Sequence, residues 1–173
     1  MPLFVGVCAL LGLIFGSFAN VLAYRLPKGE SIVTPGSRCP SCGHALTWFE
    51  NIPLLSWLAL KGHCRHCRVA ISVRYPLLEL CMGLTWGYMA WHFGWGLELV
   101  MALALSMMLW VLTWIDLETG LLPNAITLPG MAMGIVFSMA TGHLMDSVMG
   151  AVAGYGVFWL VAKTFFLLAR REG

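Results

Sequence analysis

The chain has 173 residues, of which 60% are hydrophobic and only 10% charged. Soluble domains carry roughly 25% charged and 45–50% apolar residues, and a soluble fold of this size could not hide so much apolar surface. The formal net charge of +2 says little as a total, but its distribution says more. Arg25, Lys28, Arg38, Lys61, Arg65, Arg68 and Arg74 fall between the first two apolar runs, Arg170 and Arg171 lie at the far end, and Lys163 alone sits inside an apolar stretch. That clustering is what the positive-inside rule produces on a cytoplasmic face.

The first apolar run, Met1 to Tyr24, has no charge before Arg25. It lacks the basic start and the small-residue cleavage site of a signal peptide, so it reads as a transmembrane helix entering from outside. Gly12 and Gly16 give it a small-xxx-small spacing suited to close helix packing. Residues 25–76 form a polar insert, long enough for a small module and too short for a large core. Leu77–Phe93 is the second run, with Glu79 near its start and Trp86, Tyr88, Trp91 and Trp95 crowding its far end like an interfacial belt. Leu97–Ile115 is the third run, and a polar turn from Asp116 to Asn124 follows it. Ala125–Ala140 is the fourth run and Ser147–Ala169 the fifth. The fold class expected is therefore an all-α polytopic membrane protein of about five transmembrane helices, with a small cytoplasmic zinc-ribbon-like module. Five spans beginning outside place residues 25–76, Asp116 and Arg170–Arg171 on one side, in agreement with the charge bias.

Cys39-Pro-Ser-Cys42 and Cys64-Arg-His-Cys67 are two CxxC pairs separated by about 21 residues. Four thiolates supplied as two close pairs wrap a tetrahedral Zn²⁺. Gly43 and Gly62 flank the pairs and suit a tight knuckle. Disulfides are the competing reading, disfavoured where a cytoplasmic loop keeps thiols reduced. His44, His63 and His66 lie near the thiols and read as surface residues, while Cys8 and Cys81 read as small apolar core residues. A basic zinc ribbon also raises nucleic-acid binding. Its aromatic residues are not interleaved with the cations as a strand-binding surface requires, and topology already accounts for the charge. No nucleic-acid partner is expected. The module reads as a clamp beneath the bilayer, with metal binding supplying much of its folding energy.

Only two aspartates occur, Asp116 and Asp146. Asp116 follows Leu112-Thr113-Trp114-Ile115 at the membrane edge, where a carboxylate is costly unless used or paired. Two readings stand: a general acid or base with a raised pKa, or a helix end open to water. Carboxylate-driven peptide hydrolysis needs two such groups close together. Asp146 lies on the outer side of the bilayer. Glu118 is two positions along and points elsewhere. Glu79 starts another helix.

Several segments together resemble the type IV prepilin peptidases. They are Gly16-Ser17-Phe18-Ala19-Asn20-Val21 with Tyr24-Arg25-Leu26-Pro27, and Cys39 to Cys67 through Asn51-Ile52-Pro53-Leu54-Leu55-Ser56-Trp57. Arg74-Tyr75-Pro76-Leu77-Leu78-Glu79-Leu80, Asp116-Leu117 with Leu122-Pro123-Asn124, and Gly150 to Tyr155 complete the set. The match runs in order along nearly the whole chain. The resemblance implies a bacterial inner-membrane aspartic endopeptidase that cuts the basic leader of type IV prepilins, or of type II secretion pseudopilins, after a glycine. It also implies methylation of the new N-terminus with S-adenosylmethionine. Asp116 matches the family's first catalytic aspartate, and Cys39, Cys42, Cys64 and Cys67 match its metal-binding tetrad. Residues 77–173 then form an incomplete peptidase core. The second aspartate belongs to a Gly-x-Gly-Asp motif expected just beyond the fifth run, and no such motif occurs in residues 1–173. The chain is expected either to be truncated or to depend on a carboxylate in trans. The alternative is a peptidase-inactive scaffold that keeps its zinc loop. No glycine-rich nucleotide loop marks the methyltransferase site, for which Lys61 and Gly62 are the only candidates.

Overall fold

A computed structural model describes residues 1–169. Its helices are α1 (Pro2–Arg25), α2 (Leu55–Ala59), α3 (Arg74–Phe93), α4 (Leu97–Thr119), α5 (Asn124–Thr141) and α6 (Leu144–Ala169). Single turns of 3₁₀ helix lie at Leu26–Lys28 and Trp48–Asn51, and no named strand is present among the described residues. The chain divides into a unit from Met1 to Thr127 and a second from Leu128 onward.

Four of the five expected spans form helices long and apolar enough to cross a bilayer: Pro2–Lys28, Leu97–Thr119, Asn124–Thr141 and Leu144–Leu167. The fourth run, read as about 16 residues, gains two at its ends. The expected second run corresponds to α3, which is long enough but less apolar, carrying Arg74, Glu79 and His92. Packing explains the difference. Pro76, Leu78, Glu79, Met82, Gly83, Trp86, Gly87 and Ala90 are all buried. A helix lined by protein along one face needs less apolar surface to lie in lipid.

That burial comes chiefly from α1. A Cβ on Gly12 would lie 2.7 Å from the Met82 carbonyl oxygen, and one on Gly16 would lie 2.7 Å from the Glu79 Cα. The absence of side chains there lets the two backbones touch, which is how small residues hold helices together in lipid. We expect Gly16→Val to weaken this seam by about 1–3 kcal/mol, because backbone rather than a flexible side chain must move. Thermal unfolding in detergent would read the loss; an unchanged midpoint would show that the seam is not tight.

Around the seam, Ala19 and Ala23 of α1, Leu78, Met82 and Trp86 of α3, and Val111 and Ile115 of α4 form the main core together with Ile126. Cys8, Ala90 and Leu99 form a smaller cluster. Polar ties fix the register. Asn20 Nδ2 donates to the Tyr75 carbonyl at 3.1 Å, and Trp110 Nε1 donates to Thr85 Oγ1 at 3.1 Å.

The second unit holds most of α5 and α6, joined through Gly142 at φ 78. Ser138 Oγ donates to the His143 carbonyl, and His143 faces Asp146 at 3.2 Å within the same turn. The apolar side chains of α6 are exposed along its candidate span. Arg170 and Arg171, expected to close the last span, lie outside the described residues.

Candidate functional site

The two CxxC segments fold as matching knuckles. Arg38 bridges to Ala45 and His63 to Ala70, each as an antiparallel pair. In the first knuckle Cys39 N–H donates to the His44 carbonyl and Gly43 N–H to the Cys39 carbonyl; in the second Cys64 N–H donates to Val69 and Arg68 N–H to Cys64. The residue after the second cysteine turns left-handed in both: Gly43 at φ 69 and Arg68 at φ 60. Gly43 therefore serves the knuckle as expected, whereas in the second pair Arg68 does so. Gly62 precedes that knuckle at φ 70, and a Cβ there would come 2.9 Å from the Trp57 ring.

The four sulfurs of Cys39, Cys42, Cys64 and Cys67 lie within 4.8 Å of one another. Cys39 Sγ and Cys67 Sγ are 3.8 Å apart. Tetrahedral ligands about 2.3 Å from a common ion stand about 3.8 Å from each other, so the donor set fits a single tetrahedral metal. Against the pull of the His44 backbone N–H, burial and the other thiols push the Cys42 thiol up to about 12, while two of the four thiols are drawn toward thiolate. The Cys42 backbone N–H holds the Cys39 thiol down at about 7, against burial, which pushes the other way. The Cys67 and His66 backbone N–H groups likewise lower the Cys64 thiol.

The histidines are occupied elsewhere, as surface residues rather than ligands. His44 stacks on His66 with ring centroids 5.4 Å apart, joining the knuckles, and His63 Nδ1 lies 2.7 Å from the Lys61 carbonyl. His44 Nε2 also faces Glu50 Oε2 at 3.4 Å. Glu50 closes a capping box on the 3₁₀ turn: Thr47 Oγ1 donates at 2.6 Å and Thr47 N–H at 2.9 Å. The Thr47 hydroxyl and then its amide pull the Glu50 carboxyl from its usual 4.5 to about 2. This buried carboxylate is a structural post that sequence reasoning missed, although Thr-x-x-Glu is the spacing that signals it.

The module is anchored to α3. Leu54 takes φ 61, a conformation strained for a leucine, and its N–H donates to Glu79 Oε2 at 2.8 Å. Between the knuckles, the end of α1 and the start of α3 lies a cavity of about 550 Å³. Lys61 and Gly62 do not line it.

Asp116 stands apart from this cavity. It does not follow the helix but sits in its last turn, where its carbonyl accepts from Gly120 N–H at 2.8 Å and Gly120 ends the helix at φ 64. Leu117, Glu118 and Thr119 are compatible with helix, so the stop comes only at the glycine. The residue is exposed. Glu118 does point elsewhere, pairing with Arg74. Glu79 is buried in α3, bound to Leu54. The structure brings the four cysteines together.

These features define a helical membrane protein with a cysteine cluster able to hold a metal ion. Residues 10–93 match the bacterial Peptidase A24 N-terminal domain, and residues 102–173 match the type IV leader peptidase family. Over 99% of this chain, a Myxococcus xanthus prepilin leader peptidase/N-methyltransferase is 48% identical, with 52% of its own length covered. Proteins of the same name from Stutzerimonas stutzeri and Neisseria gonorrhoeae are 39% and 36% identical, with 68% and 69% of their lengths covered. The chain belongs to the type IV leader peptidase family. It spans about half the length of the first of these relatives and about two thirds of the other two. No solved structure matches it.

Proposed function

We propose that this chain carries the N-terminal part of a prepilin peptidase and N-methyltransferase of the bacterial inner membrane. Its substrates are type IV prepilins or type II secretion pseudopilins, cut after the glycine that ends the basic leader. The observation that supports this most is the ordered match of both family halves, with Asp116 at the free end of a span. An exposed carboxylate at a helix end is placed to meet a peptide bond brought by another molecule, which a buried one is not. Asp116 holds or releases a proton on the attacking water, and a second aspartate from the family's Gly-x-Gly-Asp segment shares that work. Orientation follows from charge: the N-terminus lies outside, and residues 25–76 with Asp116 lie in the cytoplasm, where the basic leader of a prepilin lies too.

We assign the ion of the cysteine cluster as zinc, since four thiolates in a tetrahedral closed set are a structural zinc site. S-Adenosylmethionine supplies a methyl group on a sulfonium sulfur. The amine of the newly exposed N-terminus would accept it as the sulfur–methyl bond breaks, losing a proton and leaving the thioether S-adenosylhomocysteine.

The test is mass analysis of a purified prepilin incubated with the chain and S-adenosylmethionine, with and without the Gly-x-Gly-Asp segment joined to Gly173. Cleavage that depends on that segment is the expected result. Cleavage by residues 1–173 alone would require a second carboxylate among them and overturn the assignment of roles. No cleavage by either form would favour the metal-bearing scaffold.

A further inference from the structure

Three of the segments that carry the family likeness have no part in the chemistry at Asp116, yet they meet at one place. Ser17 and Asn20 of α1, Asn51 and Trp57 of the module, and Arg74 and Glu79 of α3 all line the cavity of about 550 Å³. That volume lies within the roughly 300–1,000 Å³ of small-molecule sites. Its wall contains polar groups that the protein leaves incompletely matched. Asn20 is 5% exposed and its Oδ1 has no partner, although its Nδ2 makes two bonds. Glu79 is 8% exposed, and among the described residues it has no cationic partner, its one bond from the module being the Leu54 N–H. Arg74 is paired through Nη1 to Glu118 while its Nε and Nη2 are buried without partners.

Buried carboxylates are normally matched by a cation and buried amide oxygens by a donor. A ligand that completes this wall must therefore bring positive charge and N–H or O–H groups to Glu79 and Asn20, and an anion suits the free edge of Arg74. Tyr24, Trp57 and Tyr75 add aromatic surface. A small zwitterion bearing a second cationic centre and a flat base has those features together. We propose that this cavity is where the chain binds S-adenosylmethionine, with Glu79 and Asn20 recognising its cationic methionine end. The site is separate from Asp116, and the knuckle cysteines Cys39 and Cys64 form part of its wall. The proposal rests on the methyltransferase reading above and adds its place.

Binding tests it without reference to turnover. S-Adenosylhomocysteine is titrated calorimetrically into the metal-loaded chain in detergent, and tritiated S-adenosylmethionine is photo-crosslinked and mapped by mass. The expected result is saturable binding with crosslinks in the segments holding Asn20, Trp57 or Glu79. Glu79→Gln is expected to weaken binding at least tenfold, and Ser56→Trp, which fills the cavity, to abolish it, both with metal content unchanged. Binding that crosslinks elsewhere, or that neither variant alters, overturns the placement and leaves the methyltransferase reading intact. Absence of binding also overturns the proposal. The N-terminal mass of an already cleaved pilin incubated with the same preparation and S-adenosylmethionine then tells whether methylation fails with it.

Discussion

Replacing Asp116 with asparagine is expected to slow prepilin cleavage by about 10²–10⁴-fold, the range that a positioned acid or base contributes. Asparagine keeps the size and most of the hydrogen-bonding capacity of the side chain but can neither carry the charge nor exchange the proton. The measurement belongs in a polypeptide that also carries the Gly-x-Gly-Asp segment, so that the loss is referred to an active enzyme. Because Asp116 is exposed and lies outside the buried core, the substitution should leave helix content, metal content and cofactor binding as they were. A variant that cleaves at the parental rate would remove Asp116 from the mechanism. One that loses its fold would instead show that the last turn of α4 depends on the carboxylate.

The second large effect is expected at the knuckles. Cys39→Ser should take the chain from one bound metal to none and release the module between residues 37 and 71. The reason is the poverty of any other core there: among the described residues of that stretch, the buried hydrophobic positions are Cys39 and Cys64 themselves. Structural zinc supplies on the order of 10–16 kcal/mol in small zinc-dependent peptides, far more than the Thr47–Glu50 box or the His44–His66 stack can replace. Hydrogen exchange should show the amides of Cys39, Cys64 and Leu54 losing protection while α1 and α3 keep theirs. Unchanged metal stoichiometry would refute the clamp. A chelator should reproduce the variant in the parental chain.

The cysteine cluster was legible because two CxxC pairs state a tetrahedral donor set in spacing alone. The spans were legible from apolar length, and even α3 was found, although its composition is diluted by Arg74 and Glu79 once α1 shields it. What spacing does not state is backbone geometry. The second knuckle repeats the first with Arg68 where Gly43 stands, so the repeat exists in φ and hydrogen bonds and not in residue identity. The run of α4 past Ile115 was hidden for a similar reason: a charged residue was read as a stop, whereas Gly120 is the physical one. The cavity was the least visible feature, since Asn20, Leu54 and Glu79 come from distant segments and acquire their meaning only when folded together.

The α1–α3 seam is made of glycine contacts and owes nothing to metal. The knuckles, conversely, have little besides metal to hold them. Maturation of this protein therefore separates into two stages with different dependencies. Insertion would complete, and the helices would find each other, in a cell that has no spare metal for the cysteine cluster. The polypeptide would then wait in the bilayer with its knuckles unformed, and the metal supply would decide how much of the inserted stock completes its fold.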